Sequence, residues 1–266
     1  MGIISSVQNA TVKDLVKLRE NSRYRRSENK FTVEGAREIS RAIASRFQCD
    51  SFFYCTSILS EEAKILLGQH SSVPKVEVSE AVFQKIVLRE GTDGIFALFR
   101  SKSHCLDTFV PGKHSIILVF DQIEKPGNFG ALLRTADGVG VDAIFVLDKN
   151  ADIYNPNAIR SSVGAVFSRP IFTCEHMEFA TFCKDRNFKI VTASPFAKNN
   201  YFEEDLQGPL ALVLGSEAKG LSQFWDTWES VPVKIPMNGL ADSLNVSVAG
   251  AVILYEALRQ RQMGRI

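Results

Sequence analysis

The sequence predicts an α/β protein in two parts: a C-terminal domain built on a parallel sheet, and a smaller N-terminal α/β domain. Three observations carry this. The apolar runs "SIILVFDQI", "VDAIFVL", "FKIVTAS" and "PLALVLG" recur in the second part, and short continuous runs of that kind suit strands buried on both faces. Helical stretches lie between them, and alternating buried strands with helices gives a parallel sheet. Between the two parts, "SKSHCLDTFVPGKH" has no periodicity and contains Pro-Gly, as a linker would. The expected domains are therefore 1–105 and 106–266.

In chain order, "TVKDLVKLRENSRYRR" reads as one charged helix, "KFTVEG" as a short strand ended by glycine, and "AREISRAIASR" as an amphipathic helix. "SFFYCTSIL" and "VPKVEVS" are strands around the helix "SEEAKILLGQ"; "SEAVFQKIVL" is helical and "GIFALFR" is a strand. In the second part "NFGALLRTADGVG", "NAIRSSVGAV" and "MEFATFCKDRN" are helical, and an apolar helix with polar edges follows "NGLADSLN" near the C-terminus. No internal repeat or low-complexity tract interrupts the chain.

The composition narrows the class. With 266 residues, 45% hydrophobic and 23% charged, the chain suits a globular protein rather than a disordered or fibrous one. No apolar run approaches the roughly 20 residues of a membrane span, and the N-terminus lacks a signal-peptide pattern. The five cysteines are odd in number with no CxxC pair, so neither a disulfide framework nor a zinc site is indicated. A cytoplasmic protein with reduced thiols is the expectation. The net charge of +1 hides a local bias. In the first 30 residues Lys13, Lys17, Arg19, Arg23, Arg25, Arg26 and Lys30 face only Asp14, Glu20 and Glu28. Such a segment attracts phosphates, and a solvated helix face has the same composition.

Ligands of open parallel sheets bind beyond the carboxyl ends of the strands. Three such ends carry polar groups. Asn128 and Arg134 follow "IILVF", Glu217 lies in "SEAKGLS" after "ALVLG", and Ser243 and Asn245 follow "VPVKIP". Each has a structural explanation taken singly: Asn128 as cap of a helix starting at Phe129, Arg134 as a solvated helix residue, Glu217 capping a turn, Ser243 or Asn245 capping the last helix. Their coincidence at strand ends favours a site. There is no GxGxxG after the first of these strands and no P-loop. No GxSxG elbow is present, and the four histidines lie outside the three loops, which leaves a Ser–His–Asp hydrolase poorly supported. None of the loops contains His or Cys, so no metal is expected.

"NFGALLRTADGVGVDAIFVL", "LVLGSEAKGLS" and "IPMNGLADSLNVSVAGAVILYEALRQR" resemble, in order and spacing, the three motifs of the SpoU (TrmH-like) RNA methyltransferases of the SPOUT superfamily. The resemblance covers about residues 113–266. The first part, with "KFTVEGAREISRAI" and "GIFALFR", resembles the substrate-binding domain of ribose methyltransferases more weakly. Ser216 departs from the Asn or Ala commonest before the motif-two Glu, with a small residue kept.

The resemblance implies a sheet with a deep C-terminal trefoil knot, a homodimer, and methyl transfer from S-adenosylmethionine to a ribose 2′-hydroxyl in RNA. Ribosomal RNA is implied over tRNA by the separate N-terminal domain. It also implies that Arg134 is the main catalytic residue, with Asn128, Glu217, Ser243 and Asn245, and that backbone around Leu214, Gly215, Ile235, Met237 and Leu244 holds the cofactor. Loss of catalysis in an RNA-binding module of this fold, a tRNA 2′-O-methyltransferase, and a base-modifying relative are the alternatives.

Overall fold

The computed structural model describes residues 2–88, 93–122 and 125–263. They form two compact units, one of residues 1–102 with Asp152–Ser168, the other of Ser103–Ala151 with 169–266.

In the first unit, helices α1 (Ala10–Glu20), α2 (Ser22–Glu28), α3 (Ala36–Ala44), α4 (Glu61–Gln69) and α5 (Glu80–Ile86) accompany strands β1 (Lys30–Glu34), β2 (Cys49–Tyr54), β3 (Lys75–Glu77) and β4 (Ile95–Arg100). The sheet order is β1-β4-β2-β3, with β4 antiparallel to β1 and β2, and β3 parallel to β2. The expected single charged helix is two. Asn21 is extended after α1, and its side chain accepts the Tyr24 N–H at 3.0 Å to start α2. An Asn in that position offers the backbone a cap in place of a continued helix. α1 buries Val12 and Leu15 in a cluster with Phe53, Val82, Phe83, Ile86 and Phe96.

The segment Asp152–Ser168, carrying helix α7 (Pro156–Ser161), packs in this first unit, whereas the sequence places it with the second part. The Tyr154 ring stacks on Phe31 of β1 at 4.3 Å, and Phe167 meets Phe47 edge-on at 5.0 Å. Helical periodicity reports that a face is apolar and not which sheet it covers, so the sequence alone does not show this packing.

Two of the seven N-terminal cations are internal. Arg25 is buried, and its guanidinium forks onto the Asp152 carboxylate through Nε at 3.0 Å and Nη2. Its Nη1 also donates to Leu18 O and to Arg19 O (2.7 Å), carbonyls that the end of α1 leaves unpaired. Arg19 donates to Lys85 O and Val87 O at 2.9 and 2.6 Å. Lys13 and Arg23 are exposed.

The second unit has seven strands: β5 (Ile116–Phe120), β6 (Ala143–Val146), β7 (Ile171–Thr173), β8 (Lys189–Ala193), β9 (Asn199–Asn200), β10 (Leu210–Leu214) and β11 (Val231–Lys234). Their order is β7-β6-β5-β10-β8-β11-β9 and every neighbouring pair is parallel. β5 and β10 are buried along their whole lengths, as their apolar runs require. β7 and β9 are too short to show in the sequence. From β5 the chain runs outward through β6 and β7, then returns to β8 on the far side of the slot that β10 fills. The carboxyl ends of β5 and β10 therefore flank the point where the strand order reverses, the usual place for a ligand. Leu106 and Phe109 of the expected linker are partly buried against this unit's core.

Helices α6 (Pro126–Val139), α8 (His176–Asp185) and α9 (Val246–Met263) belong to this unit. α6 buries Phe129, Leu132, Leu133 and Ala136 at the spacing of one helix face. α9 buries Gly250, Ile253, Leu254 and Ala257. A Cβ on Gly250 would come within 2.5 Å of Leu132 and 2.6 Å of Leu214, so glycine lets α9 lie close against α6 and β10. No helix among the described residues is long and apolar enough to cross a membrane.

Candidate active site

At the carboxyl ends of the parallel strands, three loops distant in sequence are tied by side-chain hydrogen bonds. α6 begins at Pro126, whose missing N–H is tolerated in a first turn. Asn128 therefore lies inside that turn, so the alternative reading of it as the helix cap does not hold. Its amide Nδ2 donates to Glu217 Oε1, and its Oδ1 accepts from Asn245 Nδ2 at 3.3 Å. Asn245 does a second job: its Oδ1 accepts the Ser247 N–H at 2.9 Å and the Ser247 hydroxyl at 2.6 Å. So Asn245 caps α9 and also joins the site, while Ser243 makes neither bond.

The Glu217 loop is closed on itself. Ser216 and Gly220 exchange backbone hydrogen bonds at 2.8 and 2.9 Å, and Ser216 Oγ accepts the Lys219 N–H at 3.0 Å. The hydroxyl that distinguishes Ser216 from the commoner motif residues is thus used inside the loop. Gly215 is the tightest point. A Cβ there would lie 2.3–2.5 Å from backbone atoms of Gly220 and Leu221, closer than any side chain tolerates.

Arg134 stands apart from this cluster. It is six residues beyond Asn128 on α6, about 9 Å along the axis. It is exposed, with no hydrogen bond or ion pair to another described residue. A cation held without a partner on a helix surface is available for an anion brought from outside. Ser243 and Leu244 are likewise exposed.

The backbone-lined residues divide in two. Leu214 and Gly215 are buried at the end of β10, and Ile235 and Met237 follow the end of β11 partly buried. From 235 to 244 no backbone N–H or C=O finds a partner among the described residues. Such a stretch of free donors and acceptors beside a buried strand end can read the polar edge of a ligand.

Thiol chemistry finds little footing. Burial pushes the Cys49 and Cys174 thiols up to about 12 and Cys183 higher still, so none of the three is a ready thiolate. Among the described residues no three His, Cys, Asp or Glu side chains gather as metal ligands.

Sequence reasoning passed over Asp121 and His176. Asp121 directly follows β5, is fully buried, and accepts from His176 Nε2 at 2.9 Å. The signal available was an acid at the end of an all-apolar strand.

The SpoU rRNA Methylase family profile matches residues 115–255, and a profile described as the MRM3-like substrate binding domain matches residues 9–97. A 23S rRNA (uridine(2479)-2′-O)-methyltransferase of Streptomyces viridochromogenes is 30% identical over 97% of this chain and 92% of its own length. The crystal structure of an RNA 2′-O ribose methyltransferase superposes with a TM-score of 0.85 at 38% identity, covering 98% of this chain and 100% of the other. The SpoU methyltransferase AviRb from Streptomyces viridochromogenes, solved with the cofactor AdoMet, gives 0.88 at 29% identity over 96% of this chain and 100% of the other. With three motif loops brought together on a parallel sheet and matches running nearly end to end, the chain belongs to the SpoU rRNA methylase family.

Proposed function

We propose that this protein transfers a methyl group from S-adenosylmethionine to a ribose 2′-hydroxyl of ribosomal RNA. The observation that carries the reading is the bonded trio Asn128, Glu217 and Asn245, one residue from each motif loop, at the sheet's switch point. The relatives whose names specify 23S rRNA 2′-O-methylation support ribosomal RNA over tRNA.

The site suits the cofactor through its backbone. The unpaired groups of 235–244 and the buried end of β10 at Leu214 and Gly215 would hold it, together with Ile235, Met237 and Leu244. When bound, S-adenosylmethionine supplies a methyl already activated on a sulfonium. What the chain must add is alignment of the 2′-oxygen and help in losing its proton. A guanidinium is a poor base because its pKa lies above about 12. Arg134 therefore clamps a phosphate beside the target ribose and stabilises the developing alkoxide. Asn128 and Glu217 fix one another and the ribose, while Asn245 and Ser243 shape the pocket wall. By family, the loops after β10 and β11 thread as a trefoil knot.

The test is incubation of the protein with methyl-labelled cofactor and transcribed 23S rRNA, followed by nuclease digestion and mass spectrometry. A 2′-O-methylated nucleoside is expected. Label on a base, or RNA binding with no transfer, would sink the reading in favour of a base-modifying enzyme or a binding module.

Gly215→Ala should weaken cofactor binding strongly, because its Cβ meets backbone rather than a yielding side chain. Calorimetry that returns the native dissociation constant would show that the loop does not hold the cofactor.

A homodimer completes this reading. Leu240, Val248, Tyr255 and Met263 are large apolar side chains left exposed on and before α9, more than one helix usually leaves to water. Light scattering should give twice the chain mass of 29.5 kDa.

The N-terminal unit would meet RNA phosphates through Lys13 and Arg23, and not through Arg25, whose charge is already used internally. Changing Lys13 and Arg23 to Ala should reduce the salt slope of RNA affinity by about two units. An unchanged slope assigns these residues to a solvated face.

A further inference from the structure

Asp121 takes no part in the reaction above, yet it is among the most fully buried polar residues of the chain. Its Oδ1 accepts from His176 Nε2 at 2.9 Å, and its Oδ2 accepts the Ser222 backbone N–H at 2.7 Å and the Trp225 Nε1–H at 2.9 Å. Its own N–H donates to Leu214 O at 2.9 Å. A buried carboxylate without donors is costly; this one has three.

Ser222, His176 and Asp121 together invite a hydrolytic reading, and the geometry excludes it. Asp121 Oδ1 and Ser222 Oγ both lie on the same ring nitrogen, His176 Nε2, at 2.9 and 3.0 Å. In a triad the carboxylate holds one ring nitrogen and the serine proton goes to the other. Here both groups converge on the one nitrogen Nε2, so the carboxylate–imidazole–hydroxyl relay across the ring is not formed.

The network's effect falls on the Glu217 loop. That loop leaves the sheet after Leu214 and runs to Ser222, just before the short 3-10 turn Gln223–Asp226, and Asp121 bonds both ends of it, the first through its N–H and the second through Oδ2. We propose that Asp121 is a positioning residue: it fixes the spacing between the two ends of the loop that holds the cofactor, with His176 and Trp225 as the donors that keep its carboxylate in place. This rests on the assignment of Gly215 and its neighbours to the cofactor site.

The experiment uses the full chain and S-adenosylmethionine as ligand, with affinity read by calorimetry and kcat and KM on transcribed 23S rRNA. Asp121→Asn removes one acceptor and the charge, so the dissociation constant should rise about tenfold or more. KM for the cofactor should follow it, while kcat at saturation stays within about threefold because Asp121 touches no reacting atom. His176→Gln places an amide N–H near the position of Nε2 and should bind nearly as the native protein does, whereas His176→Phe should match Asp121→Asn. This pair keeps the test open if Asp121→Asn does not fold. Native cofactor affinity in a folded Asp121→Asn or His176→Phe variant, a loss of kcat at unchanged KM, or equal losses in His176→Gln and His176→Phe overturns the inference. A native chain that binds no S-adenosylmethionine overturns the cofactor reading and this inference with it.

Discussion

Arg134→Ala should lower the turnover number by about a hundred- to a thousandfold, the usual cost of removing one donor aimed at developing negative charge. Cofactor affinity should stay near native, since Arg134 has no partner among the described residues and its proposed partners are a phosphate and the alkoxide. Arg134→Lys should recover little, because an ammonium is a point charge and lacks the planar fork that grips a phosphate bidentately. Single-turnover kinetics at saturating cofactor, compared with calorimetry, separate the two quantities. Near-native turnover in the Lys variant would reduce the residue's role to bare charge. A parallel collapse of cofactor binding would move it into the cofactor pocket.

The second large effect is on stability. Arg25→Ala leaves Asp152 without its cation and two carbonyls at the end of α1 without their donor. Breaking a buried pair from one side costs about 3–5 kcal/mol, enough to lower the melting temperature by roughly 10 °C or more. Adding Asp152→Ala should restore part of the loss, because the double variant no longer buries a lone carboxylate. Thermal melts of the two single variants and the double variant form the cycle. Strict additivity would mean that the pair contributes nothing beyond its separate packing.

How much of this was legible in the sequence follows from what each signal reports. The buried strands β5, β8 and β10 announced themselves because parallel strands covered on both faces must be apolar throughout. The three polar strand ends could be named, and the structure joins Asn128, Glu217 and Asn245. It leaves Arg134 and Ser243 outside that bonded trio. The cofactor contacts proposed for Leu214 and Ile235 come from the family resemblance alone, since a backbone contact writes no side-chain signature. Arg25 was misread for a related reason. Seven cations in a row of 30 look alike as charges, and nothing local distinguishes the one whose carboxylate lies 127 residues away.

That separation has a consequence for the order in which the chain is made. As the protein emerges from the ribosome, β1 to β4 are complete well before Asp152 and Tyr154 exist. Until then Arg25 has no counter-charge, and the Phe31 ring lacks the partner stacked on it at 4.3 Å. The residues of the N-terminal unit are therefore complete only once Asp152–Ser168 has been added, after β5, α6 and β6 of the second unit have been synthesised. Translation cannot finish one unit and then begin the other; the two are born interleaved.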